Sequence, residues 1–285
     1  MSTCNRVFSF RRAQHSPLVM GIVNVTPDSF SDGGIYDTSA TAIDHAYQLV
    51  EDGASIIDIG GESTRPTSQR ISAAEEIQRI GEVVKELAHQ DFLLSVDTIH
   101  SETAEYAIKA GADIINDVSG GLYDPRMVQV IARSDVAYVV QHWRGTPDVM
   151  DQLTDYSHDG GVVEGVIVEL SQRMEQLLDS GVDELQIIID PGIGFAKTSW
   201  QSWQLIRNSH HIGEKLGRPV LVGHSRKRFL AEACAPNQWH SQRDNATAAL
   251  SALLTQKNIW AIRVHDVQSN VTALRSALCW NGRQM

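Results

Sequence analysis

Cysteine is scarce in this chain: Cys4, Cys234 and Cys279 are the three in 285 residues. They lie far apart and match neither a zinc-site nor a disulfide spacing, so reduced thiols in a cytoplasmic protein are the expectation. Positive charge is also short, with 24 Lys and Arg against 35 Asp and Glu, a net charge of −11. No basic stripe offsets that excess, which argues against a nucleic-acid partner. It leaves the substrate open, because a local positive site can sit inside an acidic chain. Long apolar runs are missing. No segment approaches the ~20 residues that cross a bilayer, and Met1–Arg12 carries no apolar signal core. Low-complexity linkers are absent too.

What the chain does contain is a rhythm. Eight short apolar runs recur, each stopping at a polar residue able to do chemistry. Leu18–Val23 stops at Asn24, Ser55–Ile59 at Gly60-Gly61-Glu62, Phe92–Val96 at Asp97, and Asp113–Ile115 at Asn116. Val136–Val140 stops at Gln141-His142, Leu185–Ile189 at Asp190, Pro219–Val222 at Gly223-His224-Ser225, and Ile259–Ile262 at Arg263. Runs rich in Val, Ile and Leu on both faces read as buried parallel strands. Helical patterns between most of them give repeated βα units. Eight units predict an α/β fold: a single (β/α)8 TIM barrel with an extra helix near the last strands, and its active site on the C-terminal rim. The polar stops then form one ring around one pocket. An N-terminal extension over residues 1–17, a barrel over 18–280 and a tail over 281–285 complete the expected organisation.

The helices carry their own punctuation. Ser72-Ala73-Ala74-Glu75 has the capping-box form, with Ile77, Ile80, Val84 and Leu87 following at helical spacing. Ala42, Ala46, Leu49 and Val50 form a stripe that stops at Gly53, and Gly111 and Gly181 close helices before new strands. Two helices are expected between Arg226 and Asn258, starting near Lys227 and near Gln242. Two connections are long, Val25 to about Thr38 and Glu62 to Ile71. Both follow strand C-termini, where long loops serve as substrate lids, and few large apolar anchors hold them.

Asp97 and Asp190 both end apolar strands, where an unpaired carboxylate is costly. One such Asp alone reads equally well as a helix N-cap or a salt-bridge partner. Two, with Asn116 on a strand between them, suit a shared polar ligand such as a heterocycle with a guanidine-like edge. Ser225-Arg226-Lys227-Arg228 follows the seventh strand and Arg263-Val264-His265 ends the eighth. Basic clusters are usually solvated, and Arg228 alone fits that description. Lys227 and Arg263 sit at strand ends, where a diphosphate site is the better reading. A helix dipole supplies only about 0.3–1 kcal/mol, so the side-chain cations dominate. Asn and Asp in Asn24–Gly34 are suitable oxygen ligands for Mg²⁺ bound through a substrate phosphate.

With these residues in view, the chain resembles the dihydropteroate synthase family. The motifs that carry the likeness are Gly21–Gly34 (GIVNVTPDSFSDGG), Gly61–Pro66 (GESTRP), Ser95–Thr98, Ile115–Gly121 and Asp190–Phe195. Ser225-Arg226-Lys227 and Arg263–Val267 complete them. The likeness runs from about Leu18 to the last helix. It implies a homodimeric barrel that joins 6-hydroxymethyl-7,8-dihydropterin diphosphate to 4-aminobenzoate with Mg²⁺ and releases diphosphate. By that resemblance Asp97, Asn116, Asp190 and Lys227 hold the pterin, and Thr64, Arg263 and His265 the diphosphate. Asn24 holds the metal. Phe30, Asp32 and Arg65 lie on moving loops, Phe195 and Arg228 contact substrate, and Asp32, Arg65 and Lys227 form the catalytic set. Thr67, Ser68, Gln141, Ala196 and His224 depart from the family's usual residues, Ala196 standing where Gly is common.

Two other readings compete. A pterin-binding methyltransferase domain shares the barrel and the Asp/Asn contacts but expels no diphosphate; Arg263-Val264-His265 together with Ser63–Pro66 favours the synthase. A non-catalytic pterin-binding paralogue is expected to have lost a loop or anion-site residue, and none is lost.

Overall fold

The computed structural model describes residues 3–12, 16–26, 35–62 and 70–282. Eight parallel strands follow one another: β1 Leu18–Asn24, β2 Ile56–Gly60, β3 Leu93–Asp97, β4 Ile114–Asp117, β5 Ala137–Gln141, β6 Ile187–Asp190, β7 Leu221–Val222 and β8 Ala261–Val264. They pair in the order β6-β5-β4-β3-β2-β1-β8-β7. A bridge between Ile189 and Val220 links the two ends, so the sheet curls into the expected barrel.

Strand alternation sorts the side chains into two layers. Leu18, Met20, Ile56, Leu93, Ile114, Val139, Ile188 and Leu221 form an inner core. Val19, Ile57, Leu94, Ile115, Val140, Ile189, Val222 and Ile262 face the helices in an outer one. Each inward row begins apolar and ends polar. Ile56 is followed two residues later by Asp58, Leu93 by Ser95 and then Asp97, Ile114 by Asn116, and Ile188 by Asp190. The lower half of the barrel is therefore packed and the upper half is polar. Trp260 is fully buried in the inner core. Trp260→Ala should cost about 3–5 kcal/mol, measured as a shift in the urea midpoint; a loss below about 1 kcal/mol would mean that the site collapses around the gap.

The described helices are α1 Thr3–Arg12, α2 Ile35–Glu51, α3 Ala73–Leu87, α4 Ser101–Ala110, α5 Arg126–Ala132, α6 Val162–Asp179, α7 Ser199–Leu216, α8 Trp239–Leu254 and α9 Val267–Trp280. Ser72 caps α3 by accepting from Glu75 N at 3.2 Å. Gly111 ends α4 with φ of 108°, a conformation costly for a residue bearing Cβ. Helix α1 closes the N-terminal end of the barrel. Cys4 and Val7 join the inner core, and Arg6 bonds Asp113 Oδ1 at 2.6 Å and Phe92 O at 2.8 Å. The three cysteines are free, and burial, helped by Asp135, pushes the Cys4 thiol up to about 12.

Several boundaries differ from expectation. Asp183 and Gln186 form a capping box that turns Glu184–Gln186 into 3₁₀-helix, so β6 starts at Ile187 and Leu185 is exposed. Asp113 precedes β4 and accepts from Leu94 N at 2.9 Å. The helix expected near Lys227 is a 3₁₀ segment, Arg228–Ala233, and the next starts at Trp239 rather than near Gln242. β8 extends past Arg263 to Val264. Phe30, Asp32, Thr64, Arg65, Thr67 and Ser68, and with them most of the two long loops, lie outside the described residues.

Candidate active site

The polar halves of the inward rows meet in one cavity of about 1360 Å³ at the C-terminal rim. Asn24, Asp97, Asn116, Gln141, Asp190, Phe195, Lys227, Arg228, Arg263 and His265 all line it. His142 and His224 do not, because each follows an inward residue and so points to the helix layer. His224 Nε2 lies 3.0 Å from Ser251 Oγ on α8, and burial pulls its pKa down to about 4. Gln141, another departure, donates from Nε2 to Val118 O at 3.3 Å. Ala196 takes a left-handed φ of 51°, which accounts for the glycine common there.

At one end of the cavity Arg263 spans two buried carboxylates. Its Nε donates to Asp58 Oδ2 at 2.6 Å and its Nη2 to Asp97 Oδ2 at 2.7 Å. Asn116 Nδ2 also donates to Asp58 Oδ2, at 3.1 Å. Asp58 is not one of the strand-end residues that the apolar runs point to. The signal was present: an acid in Ile-Ile-Asp-Ile, two residues before Gly60, must face inward. One cation cannot neutralise two acids. Burial pushes Asp97 up to about 7, the Arg263 charge opposing and Asp58 reinforcing.

The sign of that shift gives a testable slope. An unfolded Asp titrates near 3.9, so between about pH 4 and pH 7 the folded state binds the extra proton and stability falls as pH rises. Asp97→Asn should flatten this part of the curve, gaining most on the parent above about pH 7. Urea unfolding across that range decides; an unchanged slope would mean that Asp97 does not hold the proton.

On the opposite wall Asp190 accepts from Gly192 N at 2.7 Å, and burial raises its pKa against the pull of Lys227. Lys227 Nζ donates to Ile193 O and lies 4.5 Å from the Phe195 ring centroid. Burial draws it down to about 8, with Asp190 opposing. Gly223 lies between them: a Cβ on it would make ordinary contact, 3.5 Å from Asp190 Oδ2 and 3.8 Å from Lys227 Nζ.

His265 lies just past β8 and meets Ser225, whose Oγ is 3.0 Å from Nδ1 and accepts from His265 N at 3.2 Å. Arg226 is turned to Asp244 at 2.6 Å, and Arg228 pairs with Asp151 at 2.9 Å on the exposed rim. Asn24 Oδ1 faces Gly60, where a Cβ would lie 3.9 Å away. Among the described residues no group of three or more His, Cys, Asp or Glu could hold a metal.

A closed barrel whose rim sets carboxylates and an amide beside a cationic end is the architecture of a pterin-binding enzyme. The family model described as pterin binding enzyme matches residues 20–265. Dihydropteroate synthase from Streptococcus pyogenes is 45% identical over 253 residues, covering 88% of this chain and 91% of its own. A solved dihydropteroate synthase from Xanthomonas albilineans with 4-aminobenzoic acid superposes with a TM-score of 0.84, at 38% identity and 94% coverage of each chain. The enzyme from Anaplasma phagocytophilum with bound 6-hydroxymethylpterin-monophosphate gives 0.84 at 38% identity, covering 93% of this chain and 99% of its own. The chain belongs to the dihydropteroate synthase family of transferases. No described helix is long and apolar enough to cross a membrane.

Proposed function

We propose that this chain condenses 6-hydroxymethyl-7,8-dihydropterin diphosphate with 4-aminobenzoate, giving 7,8-dihydropteroate and diphosphate. The observation that carries the reading is the convergence of Asp97, Asn116, Asp190 and Lys227 with Arg263 and His265 on one cavity. Asp190 meets the donor edge of the pterin, and Asn116 and Lys227 complete its recognition. Arg263 and His265 face the diphosphate. As the C–O bond breaks, the leaving group takes the electron pair and the pterin methylene becomes cationic. The neutral aniline nitrogen attacks that carbon and then loses a proton. No side-chain nucleophile is needed; the residues position the reactants and stabilise developing charge.

Mg²⁺ fits this donor set as an ion carried with the diphosphate, for which the amide oxygen of Asn24 would be the protein's ligand. When bound it would neutralise charge on the leaving group. Phe30, Asp32, Thr64 and Arg65 would complete the site from the two long loops, and Phe195 and Arg228 would serve the aminobenzoate. A homodimer and a cytoplasmic location accompany the family likeness; sedimentation and fractionation test them.

Calorimetry with the pterin diphosphate, followed by a diphosphate-release assay with aminobenzoate, tests the reaction. Binding without release would point to a methyltransferase-like domain or a non-catalytic paralogue. Binding should also be ordered, the charges of diphosphate and Mg²⁺ drawing in the loop residues before aminobenzoate enters. Labelled aminobenzoate should therefore bind only when diphosphate, Mg²⁺ and a pterin are present, and EDTA should abolish the effect. Equal affinity with and without them would exclude the ordered scheme while leaving the reaction intact.

A further inference from the structure

Lys197 takes no part in the mechanism above, yet it belongs to the cavity wall and is only 6% exposed. Its Nζ donates to Phe195 O at 2.8 Å and lies 3.0 Å from His142 Nδ1. The other ring nitrogen of His142, Nε2, is 3.0 Å from Glu169 Oε2 on α6. A carboxylate only accepts, so the imidazole proton sits on Nε2 and Nδ1 is left to accept from an N–H of Lys197. Each group thereby fixes the next. Burial raises the Glu169 pKa, but hydrogen bonds from His142 and Arg144 bring it down to about 2, so the end of the chain stays ionised. Burial, with Lys197 adding to it, pulls His142 down to about 4 and keeps the ring neutral.

Folding alone does not favour a lysine here. Burial, reinforced by Lys227, lowers the Lys197 pKa well below the usual amine range, and a buried cation is costly. An apolar side chain of the same length would fill the space at less cost.

The segment that Lys197 grips carries the pterin wall. It begins two residues after Asp190, whose Oδ1 accepts from Gly192 N. Lys227 runs along it: its Cδ lies 3.1 Å from where a Gly194 Cβ would stand, and its Nζ bonds Ile193 O above the Phe195 ring. The path of residues 192–197 therefore sets where Asp190, Lys227 and Phe195 stand relative to one another.

We infer that Lys197 is a positioning residue for the pterin site: tied through His142 to Glu169 outside the cavity, it holds the Gly192–Lys197 loop in the shape that aligns Asp190, Lys227 and Phe195. This inference rests on the pterin-binding reading. Its test is pterin titration by calorimetry, alongside thermal melting, for the parent, Lys197→Met, Glu169→Gln and the double variant. Lys197→Met should lose about tenfold or more in pterin affinity, within the range of coupled neighbours, while its melting temperature holds or rises. Glu169→Gln, remote from the cavity, should lose less, and the double variant should bind no worse than Lys197→Met. A purely structural lysine gives the opposite pattern, lower melting with affinity kept. Parent-like affinity in Lys197→Met, or additive losses in the double variant, overturns the positioning role. A parent that binds no pterin overturns the functional reading, and this inference with it.

Discussion

Arg263→Ala should leave a protein about 3–5 kcal/mol less stable and about 10²–10³ slower in turnover. The two effects have one structural origin. Arg263 donates to Asp58 at 2.6 Å and to Asp97 at 2.7 Å, inside a rim where Asp58 is fully buried. Without the guanidinium the two acids share a buried pocket with Asn116 as the one remaining side-chain donor among the described residues. Removing one partner of a buried ion pair costs far more than the pair contributes, because the remaining charge is stranded. The stability loss should therefore shrink in acid, where the carboxylates take up protons, and Asp58→Asn should restore part of it at neutral pH. Turnover should not recover in either case, because the lost donor to the diphosphate is not replaced. Arg263→Lys should rescue poorly, since one ammonium cannot reproduce the planar fork that reaches both acids. Unfolding across pH, with single-turnover diphosphate release, reads both effects. A stable, fully active Arg263→Ala would refute the assignment.

Asp190→Asn should separate binding from folding. The buried carboxyl has a raised pKa, so replacing it by an amide removes a desolvation cost. The variant should melt at or above the parent's temperature. Pterin binding should nevertheless fall by about 1.5–3 kcal/mol or more, the worth of a hydrogen bond to a charged group, or roughly ten- to a hundredfold. The amide keeps one accepting oxygen for Gly192 N and turns a donor toward Lys227 and the ligand. Calorimetry with a pterin decides the matter, and parent-like affinity in the variant would exclude Asp190 as the edge-recognising group.

Much of this was legible in the sequence. Each apolar run that ended in an acid, amide or cation became a strand with that residue at the rim, and period-two alternation determined which neighbour faced inward. That rule separates Gln141 from His142 and Gly223 from His224. The same rule points Asp58 inward, although it lies inside its run rather than at the end. Element boundaries were harder. The capping box at Asp183 and Gln186 outcompeted strand for Leu185. Only a short 3₁₀ turn formed after Lys227, where a regular helix was expected.

The sequence by itself determined the strand count, the parallel βα order and the inventory of groups on the rim, because burial on both faces and alternation are local constraints on side-chain chemistry. The tertiary structure alone decided how those groups pair. Arg263 reads locally as a free cation awaiting an anion, yet it is held by Asp58, 205 positions away, and by Asp97, 166 positions away. Lys197 reads as one basic residue in a loop, yet it is buried against His142, 55 positions earlier. Closing the sheet, with β8 beside β1, brings Arg263 within hydrogen-bonding distance of both acids, and the β5–β6 pairing brings Lys197 to His142, in places shielded from water. There burial first, and the charged partner after it, sets the protonation state and hence the chemistry.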